Sequence, residues 1–127
     1  MIGADTNLLV RFLTKDDAKQ AEKVKSLLLD GETIYINEIV LSELFWVLNR
    51  VYQISKNDFV LVLDTLLETE NIRFFDHEIV KSALSDYIHS RADYPDCLIH
   101  RINDKKNLDT LTFDKRATSL TRMQLLQ

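Results

Sequence analysis

Glycine is almost absent from this chain: of 127 residues only Gly3 and Gly31 are glycine. Phosphate-cradling loops of the G-x-G-x-x-G or Walker type, and the G-x-S-x-G nucleophile elbow, need two or more glycines close together. Those nucleotide-binding and hydrolase designs are excluded. Cysteine occurs once, as Cys97, which excludes an intrachain disulfide and a thiolate-rich zinc site. No apolar run approaches the ~20 residues of a membrane span. The opening Met1-Ile-Gly-Ala-Asp5 lacks the basic and apolar regions of a secretion signal. A cytoplasmic protein with no membrane partner is expected. Repeats, low-complexity tracts and Pro/Gly-rich linkers are missing too, and the one proline is Pro95. The sequence therefore predicts a single domain over residues 1–127.

What is present is ordinary in amount and uneven in placement. The net charge is −4. Residues 1–99 hold ten Lys/Arg against seventeen Asp/Glu, whereas residues 100–127 hold six against three. Such a distribution suits a solvated surface, and it equally suits a basic rim beside an acidic site that works on a phosphate backbone.

Apolar spacing alternates between short runs and helical stripes. Residues 1–5 read as a strand ending at Asp5, with a helix opening at Thr6 or Asn7 and carrying Leu8, Leu9, Phe12 and Leu13. A helix near 16–30 ends at Gly31, in the position a C-terminal glycine takes. Residues 33–36 form a β-rich run, and Asn37 caps a helix over 38–52 that is apolar nearly all round. Ser55 caps a helix over 56–70, residues 72–75 form a strand, and Asp76 caps a helix over 77–91. Pro95 marks a first helical turn, Asn107 ends that helix, and residues 110–113 and 123–126 are strands. Short strands alternating with helices predict an α/β fold with a parallel sheet covered on both faces. Sites in such sheets form at the carboxyl ends of the strands.

Four carboxylates stand at informative positions. Asp5 and Asp114 end strands, Asp96 lies in a first helical turn, and Glu43 lies in the most apolar helix. An ionised Glu on an apolar face costs several kcal/mol unless it is compensated. Each residue also has a purely structural reading: Asp5 as a helix cap, Asp96 as a favoured acid at a helix start with Asp93 as the cap, Asp114 as a turn cap, and Glu43 as a group on an exposed edge. Taken together at one edge of one sheet, they fit a shared cation better. Ligands that are all oxygen point to Mg²⁺ or Mn²⁺ rather than zinc. A cation of that kind activates water and neutralises charge on a phosphoryl group, so phosphodiester hydrolysis is the matching chemistry.

The segments Ile2-Gly-Ala-Asp-Thr-Asn-Leu-Leu-Val-Arg11, Val40-Leu-Ser-Glu-Leu-Phe-Trp-Val-Leu48, Asp93-Tyr-Pro-Asp-Cys-Leu-Ile99 and Thr110-Leu-Thr-Phe-Asp-Lys115 resemble the four acidic motifs of PIN domains, in the family's order. The likeness is greatest to the VapC-type toxins. This resemblance implies a three-layer α/β/α sandwich with a short-stranded parallel sheet, in which Asp5, Glu43, Asp96 and Asp114 are catalytic and hold Mg²⁺ or Mn²⁺. It also implies an endoribonuclease acting on RNA, a homodimer, and a small DNA-binding antitoxin as partner. Asp93 matches an auxiliary acidic position, and Thr6, Asn7 and Thr112 match polar positions that line the family's site. Arg11, Arg101, Lys105, Lys106, Lys115 and Arg116 are the basic residues available to RNA. Pro95, Cys97 and Asn107 depart from the family's usual residues without removing a carboxylate.

Four further expectations come from the residues alone. Cys97 is read as a small core side chain, the histidines as surface groups without a role, and Trp46 as core or interface. Val60, Leu61 and Val62 widen the apolar stripe of their helix and mark a partner surface. The competing readings are a PIN nuclease of RNA maturation and an inactive PIN fold that only binds. A phospho-acceptor receiver domain fits poorly, because the first strand ends in one Asp and two consecutive helices fill 37–70.

Overall fold

Each of the six α-helices is opened by a side chain that accepts a hydrogen bond from the backbone N–H three residues on: Asp5, Asp17, Asn37, Ser55, Asp76 and Asp93. Such caps stabilise a helix by about 1 kcal/mol each, and they fix where every helix begins. The computed structural model describes all residues, Met1–Gln127. They divide into two compact units, Met1–Phe75 and Asp76–Gln127.

The first unit contains β1 (Ile2–Gly3), α1 (Thr6–Thr14), α2 (Ala18–Leu29), β2 (Ile34–Ile36), α3 (Glu38–Arg50), α4 (Lys56–Glu68) and β3 (Ile72–Phe74). Its strands form a parallel sheet in the order β1-β2-β3, with Ile2 opposite Ile34 and Ile34 opposite Ile72. Leu9, Ile34, Ile36, Leu41, Leu44, Phe59, Leu63 and Leu66 are buried. Phe45 meets Trp46 and Phe59 edge-to-face at 5.0 Å, an arrangement the ring quadrupoles favour. The helix expected from residue 16 begins two residues later because Asp17 is the cap. Asp16 instead receives the Tyr52 hydroxyl at 2.6 Å, the Thr14 hydroxyl at 2.7 Å and the Arg11 guanidinium at 3.1 Å. These donors, Tyr52 foremost, hold its carboxyl down at about 2.

The second unit contains α5 (His77–Ile88), α6 (Tyr94–Lys105), β4 (Thr110–Thr112), a 3-10 turn (Ala117–Ser119) and β5 (Met123–Leu125). β4 and β5 pair in parallel, Thr110 opposite Met123. Helices α5 and α6 pack together and are pinned twice. The buried Tyr94 hydroxyl donates to the Val80 carbonyl at 3.1 Å, and Arg101 grips both Asp86 oxygens at 2.6 and 2.8 Å. Asn107, at φ 60°, ends the segment after α6 in the left-handed conformation its side chain tolerates.

The α/β class and the parallel, short strands are as the sequence predicts, but the strands are shared between two sheets, one per unit. Alternating elements identify strands without specifying partners, and strands of two or three residues carry little register information. Cys97 is fully buried, as expected, and burial, helped by the nearby Asp86 charge, pushes its thiol up to about 12. His100 departs from its surface assignment. It is 4% exposed, and its Nδ1 is buried without a hydrogen-bond partner. No helix is long and apolar enough to cross a membrane.

Candidate metal centre

Asp93 and Asp96 are three residues apart at the start of α6, a spacing that places them on neighbouring positions of one turn. Asp93 caps the helix: its Oδ1 accepts the Asp96 N–H at 2.9 Å. Pro95 sits within this first turn, where a missing N–H costs nothing because the helix leaves that position unpaired. Asp114 follows β4 and is fixed from both sides. Its N–H donates to the Thr112 hydroxyl at 3.0 Å, and its Oδ1 accepts the Arg116 N–H at 2.9 Å. One carboxylate oxygen from each of Asp93, Asp96 and Asp114 lies within 4.8 Å of the others, and all three residues are half-buried.

Three carboxylates so close repel one another, and the central one shows it. Burial, with the Asp93 and Asp114 charges, raises the Asp96 carboxyl to about 6. Asp114 moves the other way: hydrogen bonds from the Arg116 side chain and backbone lower it. The Arg116 guanidinium contacts both Asp114 oxygens, at 3.4 and 3.3 Å. These residues fit a hard divalent cation. The donors are all oxygen, they converge, and their mutual repulsion is relieved by added positive charge.

The remaining site candidates are placed as follows. Asp5 caps α1, its Oδ1 accepting the Leu8 N–H at 2.9 Å, and is exposed. Thr6 and Asn7 are the first two residues of α1. Glu43 is exposed on α3, which corrects the expectation of an apolar setting. Ile39, Glu43, Trp46 and Arg50 follow helical spacing along one stripe. Ile39 is 66% exposed, and Arg50 stacks its guanidinium 4.4 Å from the Trp46 ring centroid. The cost of a buried charge therefore gives no argument for Glu43. Asp5 and Glu43 belong to the first unit; the cluster of Asp93, Asp96 and Asp114 belongs wholly to the second.

The basic residues separate into engaged and unengaged. Arg11 pairs with Asp16, Arg101 with Asp86 and Lys105 with Asp76. Lys106 and Lys115 are exposed and enter none of the ion pairs. Sequence reasoning missed Arg122, which joins Asp104 at 2.9 Å and Asp109 at 2.6 Å and so ties the start of β5 to the end of α6. No sequence signal marked it, since ion pairs across thirteen to eighteen residues follow no helical or strand period.

The family model described as PIN domain matches residues 3–123, nearly the whole chain. Six helices with short parallel strands agree with the α/β/α fold of that family, whose members are usually metal-dependent nucleases. No curated protein matches the chain.

Proposed function

The chain belongs to the PIN-domain family, and from that premise we propose that it is a metal-dependent endoribonuclease, the toxin of a VapC-type toxin–antitoxin pair. The observation that carries this reading is the convergence of Asp93, Asp96 and Asp114 oxygens within 4.8 Å. In the proposed centre, Asp5 and Glu43 join Asp96 and Asp114 as catalytic ligands of Mg²⁺ or Mn²⁺, and Asp93 is auxiliary. The family match runs unbroken across residue 75 and includes all of these residues.

When bound, such a cation lowers the pKa of water and offsets charge on a phosphodiester. The chain's own residues prepare for it. Asp93 accepts the Asp96 N–H at the α6 cap and lies beside the Asp96 carboxyl. Thr112 and the Arg116 N–H hold Asp114 in a fixed orientation. Burial and the Asp93 and Asp114 charges raise the Asp96 carboxyl to about 6, which leaves it largely ionised at neutral pH. Lys106 and Lys115, uncommitted to ion pairs, are the basic residues best placed to meet RNA phosphates; Thr6 and Asn7 are assigned to the lining.

The test is direct. Purified protein should cut RNA to 5′-phosphate ends, stop in EDTA, and recover with Mg²⁺ or Mn²⁺. Undiminished cleavage in EDTA, or 2′,3′-cyclic ends, excludes the proposal. For the proposed homodimer and antitoxin, the supporting surface is on α4, where Leu61 is 64% exposed between half-buried Val60 and Val62. Leu61→Asp should lower the mass in solution or weaken antitoxin binding at least about tenfold, a loss typical of a buried apolar anchor. A folded variant normal in both respects shows that this surface is not the interface.

A further inference from the structure

Resting on the metal centre just proposed, we infer that Arg116 is an internal competitor for it: its guanidinium contacts Asp114 and must leave before Asp114 can ligate. The geometry is that of a stand-in cation. Nε and Nη2 approach the two Asp114 oxygens at 3.4 and 3.3 Å, so the fork faces both oxygens of this carboxylate. The same guanidinium is near enough to Asp93 and Asp96 for its charge to act on them. It is the one basic side chain ion-paired to the cluster.

The pair is held loosely enough to open. The Arg116 side chain is 64% exposed, and exposed ion pairs are weak because water and salt screen them. Asp114 does not depend on that side chain for its position. The Arg116 backbone N–H and the Thr112 hydroxyl fix it independently. Removing the guanidinium therefore frees a ligand without disordering it, and a cation gains access to Asp114 that it otherwise has to win. Lys115 provides the comparison within the chain: equal charge, adjacent in sequence, exposed, and in no ion pair with the cluster.

The experiment measures metal binding, separately from cleavage. Mn²⁺ is titrated calorimetrically into wild type, Arg116→Ala, Lys115→Ala and Asp96→Asn, each checked for folding by circular dichroism. Arg116→Ala should bind Mn²⁺ about two- to fivefold more tightly, the range expected when an exposed ion pair is released. Lys115→Ala should stay within about 1.5-fold of wild type, because it touches no carboxylate. In the wild type, the Arg116 Nε–H resonance in ¹⁵N NMR should shift on saturation with Mg²⁺. Unchanged or weaker binding by Arg116→Ala overturns the inference, as does equal tightening by Lys115→Ala or an unmoved Nε–H resonance. Wild type that binds no Mn²⁺, or Asp96→Asn that binds as wild type does, overturns the metal centre itself and the competition with it.

Discussion

Both units pair carboxylates with donors, but only the second also brings three carboxylates together. In Met1–Phe75, Asp5 and Glu43 are exposed, and Asp16 is surrounded by donors that keep it ionised. In Asp76–Gln127, three carboxylates crowd together at half-buried positions, and only Arg116 offsets them. A carboxylate among carboxylates is held against its electrostatic preference, and such strain is concentrated at functional sites. The second unit thus holds the carboxylate crowding on which the proposed centre rests, while Asp5 and Glu43 in the first enter that proposal through the family resemblance.

The largest expected effect divides these cases. Asp96→Asn should reduce RNA cleavage by at least about 100-fold, since even the partners of metal ligands cost 10- to 100-fold when lost. Asp5→Asn and Glu43→Gln should each match it if both units build one centre. Near wild-type turnover by one would remove that residue from the proposed centre, and by both would leave only second-unit carboxylates in it.

A smaller effect concerns stability in EDTA. The Asp96 carboxyl ordinarily titrates near 3.8 and here does so at about 6. Between those values the native state binds a proton that the unfolded chain has released. The resulting stability is complete below the lower value and is lost as pH rises through the upper one. Solvent screening at a half-buried group limits the change to about 1 kcal/mol. Urea midpoints measured from pH 4 to 8 should decline between about pH 4 and 6 in wild type and then level off, and the decline should disappear in Asp96→Asn. A flat wild-type profile would remove the contrast on which the comparison of the two units rests.

The parts of the molecule that were legible in the sequence share one property: they are local. Asn37, Ser55, Asp76 and Asp93 announce helix starts because a cap and its N–H partner lie three residues apart. The neighbourhood of Asp93 and Asp96 follows from the same spacing. The approach of Asp114 spans eighteen residues beyond Asp96 and was carried only by resemblance to a family. The sequence left open whether Glu43 is covered, because the count of apolar residues around α3 does not say which face is buried. Ile39 is as apolar as Leu41, yet one is 66% exposed and the other 0%. His100 was misjudged by polarity: it fills space in the interior with one nitrogen unsatisfied. The Tyr52–Asp16 contact, thirty-six residues apart, had no pattern to reveal it.

Cys97 gives this architecture a clock. It follows Asp96 directly on α6, is fully buried, and has its thiol raised to about 12. At pH 8 only about one molecule in ten thousand holds the thiolate that reacts with alkylating reagents. In the native protein the sulfur is shielded as well as protonated, so its modification has to wait for α6 to expose it. Because the chain has no other cysteine, the rate at which a thiol reagent is consumed reports how often the helix bearing Asp93 and Asp96 comes open. The candidate centre therefore has a chemical witness to its own opening, one that needs no label and no substitution.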